Sequence, residues 1–346
     1  MIDRKMIPTL GAEISRLGYG GMRFPKNGDD VDFDAAVELL HKAYEMGINY
    51  FDTANMYTDS EEKIGEALHD VRHHIVISTK SGGKDKKTVR EHIELSLRRM
   101  QTDYIDLFQF HNPAELPDPE DPDGPFAAAL EAKEKGYIRH IGITNHRLGV
   151  AQAAIASGNF ETLQFPFCYL CTEKDLQLLR ACEAADMGFI AMKGLSGGML
   201  SNAAACYAFM QQHPNVVPIW GIQHEWELDQ WLKLTEENQQ MTPELAAVIE
   251  KDRKELAHNF CRSCGYCLPC AAGINIPQAA RMAMLLRRSP YRPYMTEQWY
   301  AEMHKIEGCL HCDACKSRCP YGLDTPNLLQ EMLKDYDAFY ALHHND

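Results

Sequence analysis

The sequence lacks several features that would assign it quickly. No stretch of its 346 residues reaches the roughly eighteen consecutive apolar residues of a membrane-crossing helix. Basic residues are not in excess: 35 Lys and Arg stand against 49 Asp and Glu, a formal charge of −14. That balance argues against nucleic acid or an anionic membrane as the main partner. Low-complexity tracts are absent, and with 45% apolar and 24% charged residues the chain is expected to fold around a sizeable core. Its first residues, Met1-Ile2-Asp3-Arg4-Lys5, lack the apolar segment of a secretory signal, so the expected location is the cytoplasm. Also missing is a Gly-x-Gly-x-x-Gly turn: Gly18-Tyr19-Gly20-Gly21 has the wrong spacing, which weakens a doubly wound nucleotide-binding sheet.

Cysteine, by contrast, is plentiful. Eight of the 12 cysteines fall in the last quarter of the chain. Without an export signal, metal is the expected use rather than disulfides. The run Cys309-x2-Cys312-x2-Cys315-x3-Cys319-Pro320 has the bacterial ferredoxin spacing for a 4Fe-4S cluster. Cys261-x2-Cys264-x2-Cys267-x2-Cys270 is a second copy, one residue shorter before its last cysteine. In two-cluster ferredoxins the fourth cysteine of each run ligates the other cluster. The expected sets are therefore Cys261, Cys264, Cys267 and Cys319 for one cluster, and Cys309, Cys312, Cys315 and Cys270 for the other. A pair of structural zinc sites is the alternative, although zinc commonly uses two separated Cys-x2-Cys knuckles. Cys168, Cys171, Cys182 and Cys206 are scattered and read as small buried hydrophobes, with a Cys168-x2-Cys171 redox pair as the other possibility.

Upstream, short apolar runs alternate with amphipathic segments. The runs lie around 17–22 and at 48–51, 75–78, 104–110, 138–143, 163–167, 189–192 and 216–220. Eight such repeats, each carrying a following helix with the last left open, predict a (β/α)8 TIM barrel within an α/β class. Residues 1–240 form this expected barrel and 241–258 a connecting helix. Residues 259–346 form a small α-helical two-cluster ferredoxin-like domain, with helices at 276–288, 296–304 and 325–340. Its helical spacer resembles the α-helical ferredoxin modules of larger oxidoreductases.

Catalytic groups of such a barrel sit where the strands end. Those positions hold Asp52 and Tyr57 after the second strand, Lys80 at the end of the third and His111 at the end of the fourth. Singly they read as a cap, a solvated charge and a loop histidine. Together, with Leu17-Gly18-Tyr19-Gly20, Asp123-Gly124 and the segment Lys135 to Asn145, they resemble the aldo/keto reductase family over about Met6 to Leu234. The whole chain is similar to an iron–sulfur branch of that family whose first cysteine run has the same short spacing.

The resemblance implies reduction of an aldehyde or ketone, or oxidation of an alcohol. Tyr57 would be the general acid, its phenol lowered by Lys80; Asp52 would hold Lys80, and His111 would orient the carbonyl. It also implies NADP(H) or NAD(H), with Asn145 and Gln164 on the carboxamide. Met192 stands where relatives place a stacking aromatic. Lys193, with the Gly197-Gly198 pair, is expected to face the pyrophosphate, and Gly221, Ile222 and Gln223 to cradle phosphate. The missing aromatic leaves room for a flavin, and the clusters suggest a one-electron donor protein such as ferredoxin or flavodoxin. Alternatives are an ordinary NAD(P)H-dependent reductase with structural clusters, and a non-catalytic electron-relay subunit. The Pro- and Asp-rich segment Asn112 to Pro125 is expected to overhang the site.

Overall fold

The computed structural model describes residues 2, 4–27, 30–256, 261–319 and 321–344. Pro320, the end of the expected connecting helix and the first residues of the expected cluster domain lie outside them. The chain divides into two compact units, Met1–Gly194 with Cys206–Met241, and Leu195–Ala205 with Thr242–Asp346.

In the first unit all eight apolar runs are strands: β1 Gly18–Gly20, β2 Tyr50–Asp52, β3 Val76–Ser81, β4 Ile105–His111, β5 Ile138–Thr144, β6 Thr162–Pro166, β7 Gly188–Met192 and β8 Val216–Gly221. They pair in parallel and close in the order β6-β7-β8-β1-β2-β3-β4-β5. Strands buried on both faces read as continuous apolar runs rather than alternating ones, which made them visible in sequence.

Helices α1 Phe33–Glu45, α2 Ser60–Leu68, α3 Lys86–Arg99, α4 Pro125–Glu134, α5 Leu148–Ser157, α6 Glu173–Ala184, α7 Ala203–Gln211 and α8 Glu225–Glu236 follow in turn. The last strand thus carries its own helix after all. Local capping sets several starts: Asp32 accepts the Ala35 N–H at 3.1 Å, and Asp85 accepts that of Thr88 at 2.8 Å. Cys182 and Cys206 are buried as expected, whereas Cys168 and Cys171 are half-buried.

A hairpin of Arg4–Ile7 and Ala12–Ser15 precedes the barrel. Ile7, Leu10 and Ile14 pack against Tyr50, Val76, Leu107, Ile190, Val217 and Ile219, plugging the end at which the strands begin. That leaves the opposite end, where the strands finish, for chemistry.

The second unit is helical: α9 Pro243–Leu256, α10 Ile276–Ala279, α11 Met282–Arg288, α12 Glu297–His304, α13 Ala314–Ser317 and α14 Thr325–His343. The expected helix over 276–288 is broken between α10 and α11 at Ala280 and Arg281. Its core gathers Ile274, Ile276, Met282, Leu286, Met303, Ile306, Leu328, Leu329 and Tyr336 around Cys261. Arg281 donates to the Gly197 carbonyl at 3.0 Å and Arg288 to that of Met199 at 3.3 Å, tying Leu195–Ala205 into this unit. The Gly197-Gly198 pair expected near pyrophosphate therefore belongs to the helical unit.

Candidate active site and cluster sites

Asp52 ends β2 and Lys80 is the penultimate residue of the adjacent β3, both almost fully buried. Lys80 Nζ donates to Asp52 Oδ2 at 2.6 Å and to the Thr53 carbonyl at 2.5 Å. A buried ion pair of this kind persists because each charge has the other and further hydrogen bonds to offset its lost hydration. Tyr57 lies on the loop after β2, with Lys80 Nζ 5.5 Å from its ring centre. His111, the last residue of β4, meets the Tyr57 ring edge-on, 5.8 Å between centres and 82° between planes. The four residues that the sequence picked out singly are thus brought together.

Three of the ten left-handed non-glycine residues among the described residues directly follow expected site positions. Thr58, Asn112 and Lys193 directly follow Tyr57, His111 and Met192, and have φ of 43°, 57° and 59°. Left-handed non-glycine residues cost on the order of 1–3 kcal/mol each and concentrate where function requires them.

The electrostatics differ from expectation at Tyr57. Its phenol is raised above the ordinary range, first by burial and then by the Asp52 carboxylate, rather than lowered by Lys80. The reason is that Asp52 neutralises the ammonium 2.6 Å away while burial penalises the phenolate in full. Burial likewise lowers Lys80 against the opposing pull of Asp52. His111 is pushed down to about 3, by burial and then by the Lys80 charge, so its imidazole is neutral at physiological pH. Its Nδ1 is buried and has no hydrogen-bond partner among the described residues.

The residues expected at a nicotinamide lie nearby. Asn145 is fully buried, donating to the Pro113 carbonyl and accepting the Arg147 N–H, both at 2.8 Å. Gln164 projects from β6 and accepts a 2.8 Å hydrogen bond from Gln109. Met192 ends β7, its sulfur 3.9 Å from the Thr144 hydroxyl. At the end of β8, Gly221 is exposed, while the Gln223 N–H is held at 2.7 Å by Glu227, whose carboxylate caps α8. Tyr19 donates to the Ile222 carbonyl at 2.9 Å. Gln109, absent from the sequence expectations, was detectable as a lone amide in the otherwise apolar run Leu107-Phe108-Gln109-Phe110.

In the helical unit, sulfur donors line two cavities. One, about 20 Å³, is bounded by Cys261, Cys264, Cys267 and Cys319. The other, about 110 Å³, is bounded by Cys270, Cys309, Cys312 and Cys315, with Cys267 on its wall. Ile276, Ala280 and Leu323 line the first; Ile274, Leu310 and Leu329 line the second. Cysteine sulfurs on largely apolar walls are the donor set a 4Fe-4S cluster takes once deprotonated. Cys267 is pushed up to about 12 by burial and then by the nearby Cys261 and Cys264, and Cys315 is raised by burial and then by Cys309 and Cys270. Cys261 is buried and Cys312 exposed.

Among the described residues, no helix is long and apolar enough to cross a membrane. The 4Fe-4S dicluster domain family matches residues 260–324. Among curated proteins, an uncharacterized oxidoreductase, YqkF of Bacillus subtilis, is 29% identical over 212 residues, covering 57% of this chain and 66% of that protein. Aldo-keto reductase AFTS1 of Alternaria alternata is 29% identical over 245 residues, again 66% of its length. The chain spans just under two thirds of the length of these relatives. Among solved structures, aldo-keto reductase AKR11C1 from Bacillus halodurans superposes with a TM-score of 0.62 at 22% identity, over 73% of this chain and 96% of that one. An aldo-keto reductase from Klebsiella pneumoniae in complex with NADPH gives 0.60 at 21%, over 72% and 95%. At such identities the structures establish the shared barrel fold. The aldo/keto reductase family itself matches residues 16–262, well over half of the sequence, and the chain belongs to that family.

Proposed function

We propose that the barrel interconverts a small carbonyl compound and its alcohol, and that the cysteine-rich unit exchanges electrons with a one-electron protein such as ferredoxin or flavodoxin. The protein is an oxidoreductase of the aldo/keto reductase type. The observation that carries this reading is the meeting of the Tyr57 phenol, the Asp52–Lys80 pair and the neutral His111 at the ends of three neighbouring strands.

A bound NAD(P)H supplies the hydride; the Klebsiella relative in complex with NADPH supports that choice. Tyr57 holds the proton that goes to the carbonyl oxygen. With its phenol raised, it stays protonated through neutral pH, which suits reduction better than alcohol oxidation. Lys80, held by Asp52, keeps an N–H donor 5.5 Å from the centre of the Tyr57 ring within a pair whose charges largely cancel. His111 can orient the carbonyl because its imidazole is neutral. Asn145 and Gln164 would hold the carboxamide, and Met192 would lie against the ring. Lys193 would meet the pyrophosphate. A phosphate at Gly221 and Gln223 would have to share the Gln223 N–H with Glu227.

Cys261, Cys264, Cys267 and Cys319 would hold one 4Fe-4S cluster, and Cys270, Cys309, Cys312 and Cys315 the other; the two cavities support this division. The clusters supply single electrons. A flavin would convert between single electrons and a hydride more readily than a nicotinamide does. The complete barrel constellation also favours a second reading, an NAD(P)H-dependent reductase whose clusters are structural. It speaks against a relay subunit without catalysis of its own.

Tyr57→Phe is the test. NADPH-dependent reduction of a test aldehyde is expected to fall by about 10²–10⁴-fold, the range for loss of a general acid. Turnover equal to wild type would remove Tyr57 from the role.

A further inference from the structure

Three alternate barrel strands direct polar side chains into one interior network. Asp52 comes from β2, Gln109 from β4 and Gln164 from β6, each no more than 2% exposed. Interior layers of such barrels draw their side chains from alternate strands and are dominated by Val, Ile and Leu. A layer of one carboxylate and two amides is expensive unless every hydrogen is directed.

The hydrogens are directed. Gln109 Nε2 donates to Ser78 Oγ at 2.7 Å and to Gln164 Oε1 at 2.8 Å, so both of its N–H bonds are used. Ser78 Oγ passes its own hydrogen to Asp52 Oδ1 at 3.1 Å, while Asp52 Oδ2 receives Lys80. A continuous chain therefore runs from the Lys80–Asp52 pair through Ser78 and Gln109 to Gln164. On β5, Gly142 is paired in register with Gln109 and with Thr162, and a Cβ there would lie 2.2 Å from Thr162 Oγ1. Gln109 Oε1 is buried and has no partner among the described residues. A buried orphan acceptor costs about 1–3 kcal/mol, which a packing role alone does not require.

We propose that Gln109 is a positioning residue that fixes the amide of Gln164, so that Gln164 offers its N–H rather than its carbonyl to the ligand. Gln164 Oε1 is engaged by Gln109, and Gln164 Nε2 makes only a long 3.5 Å contact to Asp52 Oδ2. Its remaining N–H is left to meet an acceptor, such as the carbonyl oxygen of a nicotinamide carboxamide. Gln109 thereby ties the orientation of the hydride donor to the carboxylate that holds Lys80. This inference rests on the nicotinamide reading above.

The test is equilibrium binding by the full-length protein, using the tighter of NADPH and NADH together with its nicotinamide-free fragment, the phosphorylated or plain ADP-ribose. Gln109→Met is expected to weaken the dinucleotide about tenfold and to leave the fragment within twofold. Gln164→Leu should reproduce that pattern, and the double variant should weaken the dinucleotide no further than either change alone. Should Gln109→Met not fold, Gln164→Leu and Gln109→Leu carry the same comparison. Equal weakening of dinucleotide and fragment, full additivity of the two changes, or wild-type affinity in Gln109→Met would overturn the positioning role. Wild-type protein that binds the fragment no more weakly than either dinucleotide would instead overturn the nicotinamide reading itself.

Discussion

At the scale of single residues, burial outweighs charge at the site. The sequence alone suggested that Lys80 would lower the Tyr57 phenol, yet its sign is decided by desolvation and by Asp52. That outcome depends on three-dimensional distances, and no spacing of residues in a chain reveals it. His111 offers a test through pH. Its folded value is about 3, against an ordinary 6.5 in the unfolded chain. Above 6.5 both states are neutral and the group is indifferent; as pH falls from 6.5 towards 3, only the unfolded chain takes up the proton. Stability is therefore lost on acidification through that window, at up to about 1.4 kcal/mol per pH unit for this group. Urea unfolding of wild type and His111→Gln between pH 7 and 4.5 should show the variant losing less stability as pH falls. Parallel curves would mean that the histidine titrates normally in the folded state.

Among the elements, the barrel strands were legible because each is an apolar run closed by polar residues, and three of those polar ends proved to be neighbours. Ser78, Gln109 and Gln164 were harder to place together, since their mutual bonds cross strands distant in sequence. The N-terminal hairpin escaped sequence reading altogether. Its strands Arg-Lys-Met-Ile and Ala-Glu-Ile-Ser are four residues each, too short and too mixed in polarity for a period to emerge. The hairpin is nonetheless integral to the core. Ile14, 1% exposed, packs in the cluster with Tyr50, Leu107 and Val217. Ile14→Ala is expected to cost about 2–5 kcal/mol in urea unfolding, with aldehyde turnover within twofold of wild type because the site lies at the opposite strand ends. A loss below 0.5 kcal/mol would show that the plug contributes little.

For the whole molecule, the cysteine spacing was the most legible feature, because ligand geometry for a small cluster is written locally in the chain. Of the eight cysteines, Cys261, Cys264 and Cys319 line one cavity and Cys270, Cys309, Cys312 and Cys315 the other, while Cys267 lines both. How the redox work is shared was not legible, since neither spacing nor composition encodes a coupling between single-electron and hydride chemistry. One member of each set differs in exposure: Cys312 is open to solvent, whereas Cys261 is buried in the helical core; the other six are half-buried. An external donor would accordingly meet the Cys312 set first. Cys312→Ala should retain about four of about eight iron atoms per chain and keep the barrel folded. The decisive measurement is the anaerobic rate of aldehyde reduction with reduced methyl viologen as the only net electron source and a substoichiometric amount of NADP or flavin present to carry the hydride, in wild type and in Cys312→Ala. The account expects turnover in wild type and a fall of at least tenfold in the variant; equal rates in the two, or none in wild type, would contradict it.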